Sequence, residues 1–226
     1  MEPLVHDPFA SKGIEYLICL AFLGSLPGYW RHLNRPAPLG AETAEEPVLS
    51  GWFHLPARAS FHAGHAWAAP AGPGRFRVGL DDFAQKLLGS PALVMLPAVG
   101  SRLSRGEQGF ALNVGGRQFD LPAPLAGRVV ARNEAALRDP ALLSDPYGAG
   151  WLLEVRPSRW SSGLSSLMQG RSAREWLGRA EEALRLRMSP DVGAVLQDGG
   201  VPVAGIARAL DEEGWEKLAR ELLARG

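Results

Sequence analysis

The sequence predicts a mainly β domain of the α+β class, with helices at both ends. Apolar and polar residues alternate along Arg75–Leu80, which is typical of a half-buried strand. Gly115-Gly116 separates two further alternating runs, which indicates a two-residue β-hairpin turn. The amphipathic patterns of Ser172–Met188 and Asp211–Ala224 predict helices. We therefore expect a helix at 1–33, a linker at 34–60, a β domain at 61–157 and a helical extension at 158–226.

The composition excludes several classes of protein. The 226 residues contain 24 Lys+Arg and 24 Asp+Glu, so the formal net charge is zero and nucleic acid is not an expected partner. The single cysteine, Cys19, excludes a disulfide framework and a cysteine-rich metal site. Only Lys12, Lys86 and Lys217 could supply a lysine amine.

The segment Ile14–Trp30 is predicted to be an N-terminal membrane anchor. As a helix it would span about 25 Å, slightly less than a bilayer core of about 30 Å. Aromatic residues stand at both ends of the run, as at the two surfaces of a membrane. A buried helix remains an alternative, because Gly24 and Pro27 interrupt the run. An interfacial helix is another, although the segment has no clear polar face.

The charges flanking this segment predict its orientation. Arg31 and Arg35 follow the segment, whereas Lys12 precedes it. Basic residues favour the cytoplasmic side of a membrane. The domain is therefore expected at the cytoplasmic face of the membrane, with the chain single-pass or monotopic.

Further elements are predicted within the two larger regions. Asp81 is the predicted N-cap of a short helix that stops at Gly89. A helical stretch is expected at Asn133–Leu143, with Pro140 interrupting it. Further short strands are predicted at Leu93–Leu96, Gly127–Ala131 and Trp151–Val155, and an apolar stretch with a Gly199-Gly200 turn at Val192–Ile206.

Five blocks of the β region carry a resemblance to a known family. They are His65-Ala66-Trp67, the run Val78–Gln85, Leu96-Pro97 with Val99-Gly100, Pro124–Gly127 with Val129-Val130 and Asn133-Glu134, and Asp145–Tyr147 with Gly148, Gly150 and Trp151. In their order and spacing they resemble the glycine cleavage system H protein, the lipoyl-bearing shuttle of glycine decarboxylation. The resemblance implies a barrel-sandwich hybrid of the lipoyl/biotinyl type with short flanking helices.

The resemblance fails where the family carries its cofactor. The family has a Glu-Ser-Val-Lys segment at a hairpin tip, and counting back from Pro124 places its Glu on Asn113 and its lipoyl-lysine on Gly116. The neighbours of that position are Gly115 and Arg117. Glycine has no group to modify, and arginine stays protonated and offers no equivalent amine. We therefore expect no lipoyl cofactor, and Lys86 is interpreted as a solvated helix residue.

Three histidines form the one metal-like pattern in the sequence. His62 and His65 stand three residues apart, and His54 lies eight residues before His62. Two such histidines can share a metal, but no cysteine or carboxylate completes the ligand set. His65 also belongs to a block of the resemblance, so these residues are weak candidates.

Three functional hypotheses follow. The first is a non-catalytic, non-lipoylated accessory or scaffold subunit that binds protein subunits of a membrane-associated redox complex and is attached through Ile14–Trp30. The second is a lipoyl carrier of the glycine cleavage system, which is what the resemblance implies. The third is an enzyme or metal-binding protein that uses the histidines.

Overall fold

The structure is a computed structural model that describes residues 8–33, 48–158, 164, 166–188, 196–197 and 201–224. The chain divides into two compact units, Met1–Pro38 and Leu39–Gly226. The helical extension therefore belongs to the same unit as the β domain.

The first unit contains one helix, α1 (Pro8–Leu33), with Pro27 inside it. The helix predicted for 1–33 is therefore confirmed from Pro8. Among the described residues, no helix combines the length and the apolar character needed to cross a bilayer, so the predicted transmembrane segment is not supported. The polar and helix-breaking residues Gly24, Ser25 and Pro27 interrupt the apolar run.

The second unit is built from antiparallel sheets. In chain order the strands are β1 (Val48–Ser50), β2 (Phe53–Leu55), β3 (Ser60–His62), β4 (Ala66–Gly72), β5 (Arg75–Leu80), β6 (Leu93–Met95), β7 (Arg102–Leu103), β8 (Gln108–Val114), β9 (Arg117–Pro122), β10 (Gly127–Arg132), β11 (Leu153–Pro157), β12 (Leu196–Gln197) and β13 (Val201–Pro202). A six-stranded sheet has the order β3-β4-β5-β11-β10-β7, and a three-stranded sheet has the order β6-β8-β9.

Short helices flank these sheets. They are α2 (Asp82–Leu88), α3 (Glu134–Arg138), a 3₁₀ helix (Pro140–Ser144), α4 (Gly170–Arg185), α5 (Ile206–Leu210) and α6 (Trp215–Ala224). Asp81 caps α2, because its side chain accepts a hydrogen bond from the Ala84 N–H, and Gly89 ends the helix as predicted. Pro140 separates α3 from the 3₁₀ helix, because proline lacks the N–H that would continue the helix.

The alternating sequences place one face of each strand in a shared core. Phe76, Val78, Leu112, Phe119 and Val155 are each at most 3% exposed. Two curled antiparallel sheets closing on one core form the barrel-sandwich of the lipoyl/biotinyl type, with flanking helices, so the predicted fold class is confirmed.

Two boundaries differ from the predictions. The linker predicted for 34–60 is wrong over 48–60, because β1 and β2 pair as a hairpin and Phe53 and Leu55 are buried. The final helix predicted for Asp211–Ala224 begins only at Trp215, as α6, because Asp211 accepts a hydrogen bond from the Gly214 N–H in the turn before it. The predicted Gly199-Gly200 turn lies outside the described residues.

The segment before α4 pairs with the edge of the six-stranded sheet. The backbone N–H of Phe61 donates to the Met168 carbonyl, and the N–H of Met168 donates to the Phe61 carbonyl, both at 2.8 Å. On α4, the buried Trp176 packs against Phe61 with 6.2 Å between ring centroids. The extension is thus joined to the sheet by backbone and side-chain contacts.

Candidate functional site

The hairpin between β8 and β9 is the position where the resemblance places the functional residue. Val114 pairs with Arg117, so Gly115 and Gly116 form the whole turn. Their φ values are 57° and 78°, as a type I′ turn requires. The Gly116 N–H donates to Asn113 Oδ1 at 3.2 Å. The predicted hairpin is confirmed, and both glycines of its tip are exposed.

The two faces of this tip differ in their surroundings. A Cβ atom added at Gly116 would meet nothing within 4 Å. A Cβ atom added at Gly115 would overlap Nη2 of Arg208 and approach Cζ2 of Trp215 to 3.2 Å. The C-terminal helices therefore cover the tip at Gly115 and leave it open at Gly116.

Contacts of α5 and α6 continue along β9. Trp215 is 8% exposed and its ring lies 5.5 Å from the ring of Phe119. Arg117 Nε lies 3.1 Å from Glu216 Oε2, and Arg220 Nη2 donates to the Gln118 carbonyl at 2.7 Å. The helical extension thus holds the outgoing strand of the hairpin through an aromatic pair, an ion pair and a backbone hydrogen bond.

A second attachment fixes the start of α5 to the end of α2. The Gly205 N–H donates to the Lys86 carbonyl at 2.7 Å. An open cleft of about 470 Å³ remains beside the hairpin, and Val114, Gly115, Gly205 and Arg208 are among the residues lining it. The hairpin, α2 and the C-terminal helices therefore form one continuous surface.

The chemistry available at the tip is limited by its residue types. No lysine occurs between Lys86 and Lys217 in the sequence. Gly116 has no side chain, and Arg117 is engaged by Glu216. A primary amine that could attack an activated acyl group is therefore missing from the turn and its two flanking strands.

Lys86 occupies a different environment from the one predicted. Its Nζ lies 2.9 Å from Asp82 Oδ2 and donates to the Trp52 carbonyl at 3.3 Å. The side chain is 20% exposed and passes 5.5 Å from the centre of the Phe53 ring. Lys86 is therefore a partly buried, paired residue rather than a solvated one, and it lies on α2 and not on the hairpin.

The three candidate histidines each have structural contacts. Nδ1 of His65 lies 2.8 Å from Asp81 Oδ2, and its ring stacks on Phe83 with 4.5 Å between centroids. The Gly64 N–H donates to Nδ1 of His62 at 3.0 Å. The His54 ring meets the edge of Tyr147 at 5.4 Å. In the part of the chain that the structure describes, no group of three His, Cys, Asp or Glu could hold a metal ion.

Burial shifts the titration of two of these histidines. Burial lowers the pKa of His54 from 6.5, and the nearby Lys86 adds to the effect while Asp82 opposes it. Burial also lowers the pKa of His62, and the positive charge of Arg105 acts in the same direction. The fold therefore favours the neutral form of both imidazoles.

The Asp81-Asp82 pair and Tyr147 connect the elements around the histidines. The Asp82 N–H donates to the Tyr147 hydroxyl at 3.1 Å, and that hydroxyl donates to the His54 carbonyl at 2.9 Å. Burial raises the pKa of Tyr147 well above 10, and the negative charge of Asp81 adds to this effect. Asp82 Oδ2 also accepts from the His54 N–H at 2.8 Å. These hydrogen bonds connect β2 to α2, so the network has a structural role.

The contacts that cover the hairpin were absent from the sequence predictions. Arg208, Trp215, Glu216 and Arg220 lie about 90 residues or more from Gly115 in the sequence. The amphipathic pattern of Asp211–Ala224, with Trp215 on its apolar side, was the one available signal. It indicated that the helix packs on something but not on what.

Comparisons with known proteins support the resemblance seen in the sequence. The family model described as "Glycine cleavage H-protein" matches residues 59–180, which are 122 of the 226 residues. A glycine cleavage system H protein of Mycolicibacterium vanbaalenii is 38% identical over 123 residues, covering 53% of this chain and 94% of that protein. One from Synechococcus sp. is 44% identical over 107 residues, covering 47% and 82%.

A solved structure gives a further comparison. The crystal structure of a glycine cleavage system H protein from Mycobacterium marinum is 35% identical and has a TM-score of 0.48. The match covers 56% of this chain and 99% of that one.

Proposed function

The chain belongs to the glycine cleavage H-protein family, and we propose that it acts as a non-catalytic, non-lipoylated accessory or scaffold subunit. In this role the rigid β domain binds protein subunits of a larger complex instead of carrying a reactive group between active sites. The observation that carries the proposal is the Gly115-Gly116 turn, which stands where the resemblance places the lipoyl-lysine.

The surroundings of the turn support this role. A swinging arm needs a tip that is free to enter the active site of another protein. Here Arg117 is paired with Glu216, and the side chains of Arg208 and Trp215 lie against the Gly115 side of the turn. A hairpin held by helices of its own chain is suited to a fixed structural role.

The apolar helix α1 supports attachment to a larger assembly. Tyr16, Leu17, Ile18, Leu20 and Phe22 are each more than 60% exposed. Exposed apolar surface of this extent is typical of a site that meets a partner or a membrane. We propose that α1 holds the protein at the cytoplasmic membrane face, in a membrane-associated redox complex.

Family membership favours a second candidate function, that of a lipoyl carrier in glycine cleavage. The relatives from Mycolicibacterium vanbaalenii and Synechococcus sp. bear the name of that system's H protein. This function requires lipoate on one of three residues: Lys12, Lys86 or Lys217. Lys86 is engaged by Asp82, whereas Lys217 is exposed on α6.

The mass of the native protein distinguishes the two candidates. The full chain is recovered from solubilised membranes and from the soluble fraction of its own host, and intact mass is measured on both. We expect the unmodified mass, with other subunits recovered in fixed ratio from the membrane fraction. A lipoyl increment on the native chain would establish the carrier function and overturn the proposal.

A variant with a restored amine provides the matched control. Gly116→Lys places a lysine where the structure leaves open space, although at a positive φ. Treated with a lipoate ligase, lipoate and Mg-ATP, which activates the lipoate carboxylate as its adenylate, this variant is expected to gain one lipoyl group while the wild-type chain gains none. Modification of the wild type to the same extent would show that another lysine serves.

A further inference from the structure

Three arginines form a row across three neighbouring strands of the six-stranded sheet. Arg128 on β10 pairs in register with Arg156 on β11 and with Arg102 on β7. Residues opposite each other on antiparallel strands have Cβ atoms about 5 Å apart and lie on the same face of the sheet. Arg102, Arg128 and Arg156 are called the arginine row below.

The arginine row points away from the core. All three residues are exposed. The residues that alternate with them, Leu103, Val129 and Val155, are at most 8% exposed and belong to the core. The row is therefore fixed on the outer face of a rigid sheet by the packing of its neighbours.

The structure shows no ion pair for the arginine row among the residues it describes: no Asp or Glu oxygen there lies within ion-pair distance of Arg102, Arg128 or Arg156. Arg128 Nη1 donates a hydrogen bond to the Gly100 carbonyl at 2.8 Å. Like charges directly opposite each other destabilise an antiparallel pair. The fold thus keeps an arrangement that is unfavourable in the isolated protein.

Elsewhere on the same face of the sheet, arginines do form ion pairs with a carboxylate. On the neighbouring pair of strands, Glu154 of β11 lies opposite Arg77 of β5, and its carboxylate is 3.3 Å from Arg77 Nε. Arg75 also reaches Glu154, at 3.8 Å. A carboxylate therefore fits beside arginines on this face of the sheet. Among the described residues, no carboxylate occupies such a place beside the arginine row.

We propose that the arginine row is a docking site for an acidic segment of a partner protein. Guanidinium groups bind carboxylates through two parallel hydrogen bonds, and arginine is preferred over lysine in such interfaces. This inference rests on the accessory function proposed above and adds the surface through which a partner subunit binds and the charge that subunit presents.

Charge and number favour protein carboxylates over other polyanions. The chain has 24 basic and 24 acidic residues, so it lacks the overall positive charge that draws proteins to nucleic acid. Binding to anionic lipid typically uses clusters of 4–8 basic residues, and the row has three without an acidic partner. A short row on a rigid sheet matches a short acidic segment.

The test measures binding of a fluorescent decaglutamate peptide to the full chain by fluorescence anisotropy at low salt. We expect Arg128→Glu to weaken binding by at least about tenfold, since it removes the central positive charge and introduces repulsion. The matched control is Arg179→Glu, which makes the same charge change at an exposed position of α4. The control is expected to change affinity less than about twofold.

Several outcomes would overturn the inference. One is that the wild type binds no peptide, and another is that Arg128→Glu and Arg179→Glu lose equal affinity for it. A third is that the protein binds a single-stranded oligonucleotide or phosphatidylglycerol vesicles more tightly than the peptide, in a way that depends on Arg128. Arg128→Gln, which only neutralises the charge, is measured in parallel. It should also lose affinity while its thermal midpoint stays at or above that of the wild type, because it relieves repulsion in the row.

Intact mass on the same samples separates this inference from the proposed function. If the mass is unmodified but Arg128→Glu weakens peptide binding no more than Arg179→Glu does, the docking site alone is refuted. A lipoyl increment with Arg128-dependent binding intact would refute the non-lipoylated function and leave the docking site standing.

Discussion

Replacing each glycine of the β8–β9 turn by alanine tests whether the C-terminal helices hold the hairpin. Both glycines have positive φ, 57° at Gly115 and 78° at Gly116. An alanine in this left-handed region costs about 1–2 kcal/mol of stability at either position. The two substitutions are therefore matched in backbone strain and differ in what the new methyl group meets.

The additional cost at Gly115 follows from its neighbours. The methyl group of Gly115→Ala would overlap the end of the Arg208 side chain, which is exposed and can move aside. It would also approach Trp215, whose ring is buried against Phe119 and cannot move freely. Overpacking of this kind costs about 1–3 kcal/mol. We expect a total loss of about 2–5 kcal/mol for Gly115→Ala and about 1–2 kcal/mol for Gly116→Ala.

Urea denaturation followed by circular dichroism measures both free energies of unfolding. Gly115→Ala should lose at least about 1 kcal/mol more than Gly116→Ala, which is the low end of the overpacking cost. In a Trp215→Ala background the difference should shrink, because the obstructing ring is gone. Equal losses for Gly115→Ala and Gly116→Ala in the wild-type background would refute the packing of the C-terminal helices on the turn.

Three other predictions concern the surrounding structure. In urea titrations, Trp215→Ala should lower the free energy of unfolding by about 3 kcal/mol, because it removes a buried ring. Glu216→Gln should lower it by less than about 1 kcal/mol, because the ion pair of Glu216 with Arg117 is partly exposed. Because the fold lowers the pKa values of His54 and His62, their contribution to the free energy of unfolding should be fully present above pH 6.5 and decrease below it. Between about pH 7.5 and 5.5, the thermal midpoint should therefore fall less in the double His→Gln variant than in the wild type. Asn133→Ala should cost about 2–4 kcal/mol, since Oδ1 caps α3 and Nδ2 donates to two carbonyls; an unchanged midpoint in thermal unfolding would contradict it.

Local patterns predicted the parts of the fold that local physics controls. The Gly115-Gly116 turn could be located because both positions need positive φ and the flanking residues alternate. Asp81 and Gly89 marked the ends of α2 because they satisfy its free backbone groups. These features depend on residues within about one turn of each other.

The missed features depend on contacts between distant residues. Strands β1 and β2 have three residues each, too few for alternation to stand out in a Pro- and Gly-rich segment. They pair with each other, and Phe53 packs on Phe83 with 4.9 Å between ring centroids, a long-range contact that the sequence does not reveal. The covering of Gly115 by Arg208 and Trp215 is likewise a long-range contact.

The candidate site was predictable in what it lacks more than in what surrounds it. The absence of a lysine near the turn is a property of the sequence. The environment of Lys86 was only partly predictable. Its partner Asp82 lies one helical turn away, but its other partner, the Trp52 carbonyl, comes from a segment predicted to be a linker.

The pairing of Phe61 with Met168 covers part of an open sheet edge. Strand β3 is the edge of the six-stranded sheet, and an open edge is a template on which another chain can add a strand. The N–H and C=O groups of Phe61 are both consumed by Met168. A ribosome-bound chain that has not yet extended past residue 168 therefore exposes this edge, and such nascent chains are where aggregation is expected to begin.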